Sequence, residues 1–238
     1  MTWFDTILER IPEVAAPTQK RLSFKEKLKW TTITLVLFFA LSLVPLFGLG
    51  ANALQQFEFI SIILGASFGS ILSLGIGPLV TASIVLQLLN GAGILKFDLT
   101  THEGRKKFQG VQQLSSLAFI VFEAGIYVFL GGLAPAPELV GTAWYFQLQL
   151  LLVVQLILGG LLVMFMDQLV SKWGFGYGIS LFIAANVSEK IFIRALYPFS
   201  SSTNPNIATG AIPALVQSLA AGDPKTAGLM LAAVIATV

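Results

Sequence analysis

FISIILGASFGSILSLGIGPLVTASIVLQLLNGAGIL, residues 59–95, runs for 37 positions without a charged side chain, and Gly65, Gly69, Gly75 and the Gly77-Pro78 pair break it up. A continuous helix of that length would reach roughly 55 Å, against about 30 Å of bilayer hydrocarbon. Two full spans of about 20 residues each would leave nothing for a turn. The reading that fits is a short half-helix, a broken stretch and one complete span. Irregular backbone at membrane depth persists only where protein buries it or where it lines a watery cavity, so the segment predicts a pathway through the bilayer.

The rest of the composition agrees. Hydrophobic residues make up 55% and charged residues 11%, and mean hydropathy is +0.83, which describes a polytopic membrane protein rather than a soluble core. Cysteine is absent, which excludes disulfides, thiolate nucleophiles, iron-sulfur clusters and Cys-type zinc sites. With His102 as the single histidine and no carboxylates grouped within the apolar runs, no metal, no cofactor and no catalytic group is expected.

Charge distribution sets the topology. Arg10, Lys20, Arg21, Lys25, Lys27 and Lys29 precede the first apolar run, Lys96, Arg105, Lys106 and Lys107 follow the interrupted one, and Lys172 lies in a short later break. By the positive-inside rule these places are cytoplasmic, whereas the breaks near Gly50 and Pro135 carry no Lys or Arg and read as external. Asp5 and Glu9 interrupt any signal-peptide core. Trp3, Phe4, Ile7, Leu8 and Ile11 recur at helical spacing, which fits a helix lying on the membrane surface within a cytoplasmic segment, residues 1–29; a plain solvated helix fits the same spacing.

Five spans are expected: Trp30 to Leu49, Leu74 to Leu95 after a half-helix from Phe57 to Phe68, Val111 to Leu133, Trp144 to Met166, and Phe175 to Leu196. Residues 197–225 read as an external loop. The apolar residues 226–238 are too few to cross, so they read as the start of a sixth span in a larger protein.

Several patterns invite chemistry. Gly65-Ala66-Ser67-Phe68-Gly69 matches G-x-S-x-G, but a serine nucleophile needs a base, and His102 lies in the basic loop on the opposite side. Small residues allowing close helix packing account for the pattern. Glu123, at the middle of span three, suits either an ion relay or a carboxyl facing other helices, with Gln155 as a partner. Gly174-Phe175-Gly176-Tyr177-Gly178 lacks both a preceding strand and dinucleotide spacing. The basic loop 96–110 suits anionic lipid or RNA, and positive-inside topology explains it as well. Ile76 with Val80, and Ile179 with Ile183, are each four apart on one helical face. Such residues face lipid unless both faces point inward toward a shared path.

Phe24-Lys25-Glu26-Lys27-Leu28-Lys29-Trp30-Thr31, Leu74-Gly75-Ile76-Gly77-Pro78 with Val80-Thr81-Ala82, Gln87-Leu88-Leu89, Phe108-Gln109-Gly110, and Gly178-Ile179-Ser180-Leu181-Phe182-Ile183-Ala184-Ala185 together resemble the SecY family, channel subunits of the protein-conducting translocon, in its archaeal and eukaryotic branch. The resemblance covers essentially the whole chain. It implies an all-α polytopic fold in which residues 30–196 are the N-terminal half of a ten-span channel, spans one to five, with span six beginning at 226. It implies a plug over about 57–68, including Phe57, Phe59, Ile60, Ile63, Leu64 and Ser67. Ile76, Val80, Ile179 and Ile183 then fall on the apolar pore ring, and Ser83 and Gln87 are polar elements of a lateral gate.

The implied function is non-enzymatic: the central subunit of a channel that moves secretory polypeptides across the membrane and releases membrane segments sideways into lipid, sealed at rest by plug and ring. The implied partners are SecE-like and beta-type small subunits, signal sequences and nascent polypeptides, membrane lipid, and a ribosome docking through a C-terminal half that this chain lacks. The place is the cell membrane, or the endoplasmic reticulum membrane in a eukaryote, with the N-terminus cytoplasmic. The rival reading is a secondary transporter or ion channel with a discontinuous helix, in which Glu123 holds a coupling ion.

Overall fold

The computed structural model describes residues 12–18, 22–50, 69–198, 200–201, 204–208, 210–222 and 224–237. The half-helix expected at Phe57 to Phe68 and the surface helix at Trp3 to Ile11 lie outside them. The chain divides into two compact units, Met1–Ile183 and Ala184–Val238.

Helix α1, Phe24–Ser42, starts six residues before the expected Trp30, because a capping box sets its end. The Glu26 N–H donates to Ser23 Oγ and the Ser23 N–H donates to Glu26 Oε2, each at 3.3 Å. Two of the orphan donors of the first turn are thereby satisfied. Hydropathy marks the apolar part of a helix and is blind to its charged first turn. The far end stops short of Leu49, as Pro45 disfavours helical backbone at the residue before it.

The chain beyond α1 is irregular, and it pairs with the break in the charge-free run. The Leu46 N–H donates to the Gly69 carbonyl at 2.8 Å and the Ile71 N–H to the Val44 carbonyl at 2.9 Å, with Pro45 opposite Ser70 in an isolated antiparallel bridge. Gln155 closes a second pair, accepting from the Phe47 N–H at 2.9 Å and donating to the Phe47 carbonyl at 3.1 Å. Two non-helical segments thus satisfy each other's backbone, as membrane depth demands. Left-handed backbone at Gly69 (φ 88°) and Gly75 (φ 55°) brackets the turn, which suits residues without a Cβ.

Helix α2, Gly77–Gly91, is 15 residues long, shorter than the span expected from Leu74 to Leu95. Its length of about 22 Å is below the hydrocarbon thickness. Pro78 sits in the first turn, where its missing N–H costs no helical bond. Gly93 (φ 73°) turns the chain out after the last turn.

The loop to α3 is a compact set of polar bonds. Asn90 Oδ1 accepts from the Phe97 N–H at 2.9 Å. Asp98 Oδ1 accepts from the Thr100 N–H at 3.0 Å and the Thr100 hydroxyl at 2.6 Å, and Thr101 caps α3 by accepting from the Gly104 N–H at 3.1 Å. The Thr100 hydroxyl, then the Thr100 N–H, hold the Asp98 carboxyl below its ordinary value of 3.8. A depressed folded-state value makes the loop's stabilisation complete above the ordinary carboxylate range and lost as pH falls through the lowered value. The protection of the Thr100 amide, its exchange rate relative to an unstructured chain at the same pH, is therefore expected to hold at pH 5 and fall only in stronger acid. In Asp98→Ala that protection should be lost; unchanged protection in the variant would show that the carboxylate does not hold the loop.

Helices α3, His102–Phe129, and α4, Ala143–Trp173, are the two described helices long and apolar enough to cross a membrane by length and composition. Thr101 starts α3 nine residues before the expected Val111, and α4 runs seven residues beyond the expected Met166, up to Gly174. They pack closely where α4 has Gly159 and Gly160. A Cβ at Gly160 would lie 2.7 Å from Ile120 Cγ2, and one at Gly159 would run into the Ile71 carbonyl of the turn. Small residues that let backbones approach are how helices associate in lipid. The core of this unit includes Phe38, Leu72, Leu79, Ile120, Leu152, Leu156, Val163 and Phe182, all buried.

Helix α5, Gly178–Leu196, begins three residues after the expected Phe175, because Gly176 (φ 124°) breaks the helical path. It runs from the first unit into the second. There, residues 197–225 hold more than a loop: Ser200–Ser201 pairs antiparallel with Asn204–Ala208, and α6, Ala211–Ala220, comes next. Gln217 of α6 accepts from the Ala208 N–H at 2.9 Å, tying helix to strand. Helix α7, Pro224–Thr237, closes the described chain. Apart from that short pair and the 3-10 turn Pro137–Leu139, the described elements are α-helical.

Candidate functional site

Ile76 and Val80 stand at the start of α2. The Val80 N–H donates to the Ile76 carbonyl at 3.0 Å, which stacks the two residues one turn apart. Ile76 is the N-cap of α2 and has no side-chain cap of its own. Its position is set instead by the turn before it, where Leu72 and Leu74 are buried and the Gly75 N–H donates to the Leu72 carbonyl at 2.7 Å. The turn is thus the seat of Ile76.

Ile179 and Ile183 stand one turn apart on α5. Ile76 and Ile179 are both partly buried against the same core cluster, and Ile183 keeps 43% of its surface exposed. Between them Phe182 is fully buried and stacks on Phe38 of α1, with ring centroids 4.7 Å apart and 17° between planes. Ile179, three residues before Phe182, lies on the edge of the face that anchors the helix, and Ile183, the next residue, opens away from it.

Asp167 of α4 is the site residue that sequence reasoning misses. Its Oδ1 accepts from the Ile179 N–H at 2.9 Å, and a Cβ at Gly178 would lie 2.6 Å from that oxygen. A carboxylate at a helix N-terminus satisfies an orphan donor and complements the helix dipole. This explains why the glycine-rich entry ends in Gly178. A cap supplied by another helix has no local sequence signature, so only an acidic residue eleven positions upstream of a helix start hinted at it.

Glu123 projects from α3 toward the first turn of α2: a Cβ on Gly77 would lie 3.4 Å from Glu123 Oε2. Gln155, the partner expected for it, is engaged with Phe47 instead. Ser83 and Gln87 do share one face of α2, with Gln87 Nε2 donating to Ser83 Oγ at 3.0 Å. Phe57, Phe59, Ile60, Ile63, Leu64 and Ser67 fall outside the described residues. His102 is the first residue of α3.

Comparison with known proteins places these elements in a family. A sequence model described as the plug domain of Sec61p matches residues 36–69, and one described as SecY matches residues 70–238. The chain is similar to protein translocase subunit SecY of Methanothermobacter thermautotrophicus, 48% identical over 221 residues, which covers 92% of this chain and 46% of that protein. A solved structure of Sec61 in the canine ribosome-channel complex from the endoplasmic reticulum matches with TM-score 0.73 at 39% identity, covering 92% of this chain and 46% of that one. Another, concerned with the plug domain of SecY stabilising the closed state of the translocation channel, matches with TM-score 0.75 at 39% identity, over 92% of this chain and 45% of that one. The chain therefore spans about half the length of the relatives it matches, and with two family models meeting at the break between Gly69 and Ser70, it belongs to the SecY family.

Proposed function

We propose that this chain forms the N-terminal half of a protein-conducting channel that passes secretory polypeptides across a membrane and releases apolar segments sideways into lipid. The observation that carries the reading is the 48% identity to a named translocase subunit over 92% of the chain. In this reading the chain performs no catalysis. Ile76, Val80, Ile179 and Ile183 supply half of an apolar ring, which closes around a passing chain without offering fixed hydrogen bonds and so tolerates any sequence. Phe57, Phe59, Ile60, Ile63, Leu64 and Ser67 belong to the plug, and the Ser83–Gln87 pair to the gate. The N-terminus is cytoplasmic. The partners are SecE-like and beta-type small subunits, signal sequences and nascent chains, and a ribosome, as for the Sec61 relative solved in a ribosome-channel complex.

The test is a complete complex, this chain with the remaining channel half and small subunits, reconstituted in vesicles. Uptake of a secretory precursor into a protease-protected state is expected; ion-coupled solute uptake in its place, abolished by Glu123→Gln, would establish the transporter rival. In the same vesicles Ile76→Gly with Ile183→Gly should raise the resting ion conductance at least several-fold. A resting conductance equal to wild type would remove these residues from the ring.

A further inference from the structure

The basic ends of α1 and α4 flank a half-open cleft of about 480 Å³, lined by Leu22, Lys27, Ser171, Lys172, Gly174, Phe175 and Gly176. Two half-buried lysines and, among the described residues, no carboxylate line it. Among the described residues Lys27 has no acidic partner, and Lys172 pairs with Glu13 at 3.2 Å from outside the lining. Glu13 balances one of the two ammonium groups, which leaves one positive charge at the cleft for an anion to meet.

The surroundings indicate where that anion sits relative to lipid. Trp30 and Trp173 pack with ring centroids 5.5 Å apart, and Phe24 and Phe175 at 5.3 Å. Phe24 is 68% and Phe175 50% exposed. Tryptophans with lysines mark the headgroup level of a bilayer, and basic pockets between membrane helices suit lipid headgroups. Ser171 adds a hydroxyl to the lining.

Around Lys172 the chain before α1 is strapped to α4. Lys172 Nζ donates to the Val14 carbonyl at 2.6 Å, Trp173 Nε1 to the Ala15 carbonyl at 2.8 Å, and the Val14 N–H to Gln168 Oε1 at 2.9 Å. Glu13 therefore competes with any anion in the cleft for the same ammonium group. We propose that this cleft binds a phosphate group, held by Lys27 and Lys172, either on a lipid headgroup or free in solution, and that Glu13 of the strap weakens its hold. The proposal is independent of the channel reading and can fail or stand without it.

Native mass spectrometry of the full chain in neutral detergent, titrated with phosphatidylglycerol, tests it. One tightly retained lipid is expected, with retention about fivefold weaker in Lys27→Gln, preserved in Lys27→Arg and tighter in Glu13→Gln. Lys106→Gln, on α3 and outside the lining, should behave as wild type. Inorganic phosphate that displaces the lipid at equal concentration would make the free ion the source; failure to displace it would make the headgroup the source. Equal retention in wild type, Lys27→Gln and Glu13→Gln, each with unaltered helical circular dichroism, overturns the site.

Discussion

Replacing Gly159 by leucine is expected to abolish accumulation of the folded protein in the membrane. A side chain there is driven into the Ile71 carbonyl, a backbone group held before it by the bonds of the Gly69 carbonyl and the Ile71 N–H to residues 44–46 and after it by the turn bond from the Gly75 N–H to the Leu72 carbonyl. Overpacking a core that can shift costs about 1–3 kcal/mol. Here the obstacle is backbone that cannot rotate away, so the cost exceeds about 3 kcal/mol, the upper end of that range. A loss of only about 1–2 kcal/mol already changes abundance several-fold in cells. Gly125 on α3 is the matched control, because a Cβ there meets nothing within 4 Å. Gly125→Ala should accumulate at least as well as wild type, and Gly159→Ala should fall between the two. If Gly159→Leu accumulates normally, the turn 69–76 does not lie against α4, and the seat proposed for Ile76 is wrong.

Phe182→Ala is expected to destabilise the first unit by about 3 kcal/mol, the lower end of the range for truncating a buried phenylalanine. The lower end applies because lipid tails are as apolar as the core, so the transfer contribution shrinks while the cavity and the lost stacking on Phe38 remain. Phe182 is fully buried and lies between Ile179 and Ile183 in sequence, so a loosened ring contact frees the face that bears both. Two readouts should move together: a lower unfolding temperature in detergent, and a raised resting conductance in the complete complex. Phe182→Leu should restore most of the first. Phe192→Ala, at a 63% exposed position, should leave both unchanged. A lower unfolding temperature with wild-type conductance would separate helix anchoring from sealing, and the ring assignment for Ile179 and Ile183 would lose its support.

The broken run was legible because charge-free length and glycine placement are properties of the chain itself, and arithmetic against bilayer thickness leaves few solutions. Helix starts were less legible. Ser23 and Glu26 form a capping box written in the sequence, yet a hydropathy reading passes over it to Trp30, and it passes over Thr101 in the same way in favour of Val111. Helix ends tracked Pro45, Gly93 and Gly176 more closely than apolar content. Residues 197–225 read as a loop since each apolar stretch there is short, whereas α6 needs only ten residues once Gln217 is tied to Ala208.

At the candidate site the division is sharper. The pairs Ile76 with Val80 and Ile179 with Ile183 were visible as helical spacing, and a resemblance gave them a role. What holds them was not visible: Asp167 fixing the start of α5, Gly159 admitting the turn, Gln155 bonded to Phe47 rather than Glu123. By itself the sequence determined a membrane chain of apolar helices, the place where one helix must break, and the residues four apart on either side. Only the tertiary structure decided which backbone groups satisfy the break and which side chains anchor the faces. Those partners lie on other segments of the chain, 108 positions apart in the case of Phe47 and Gln155, where no local pattern of hydropathy or spacing records them.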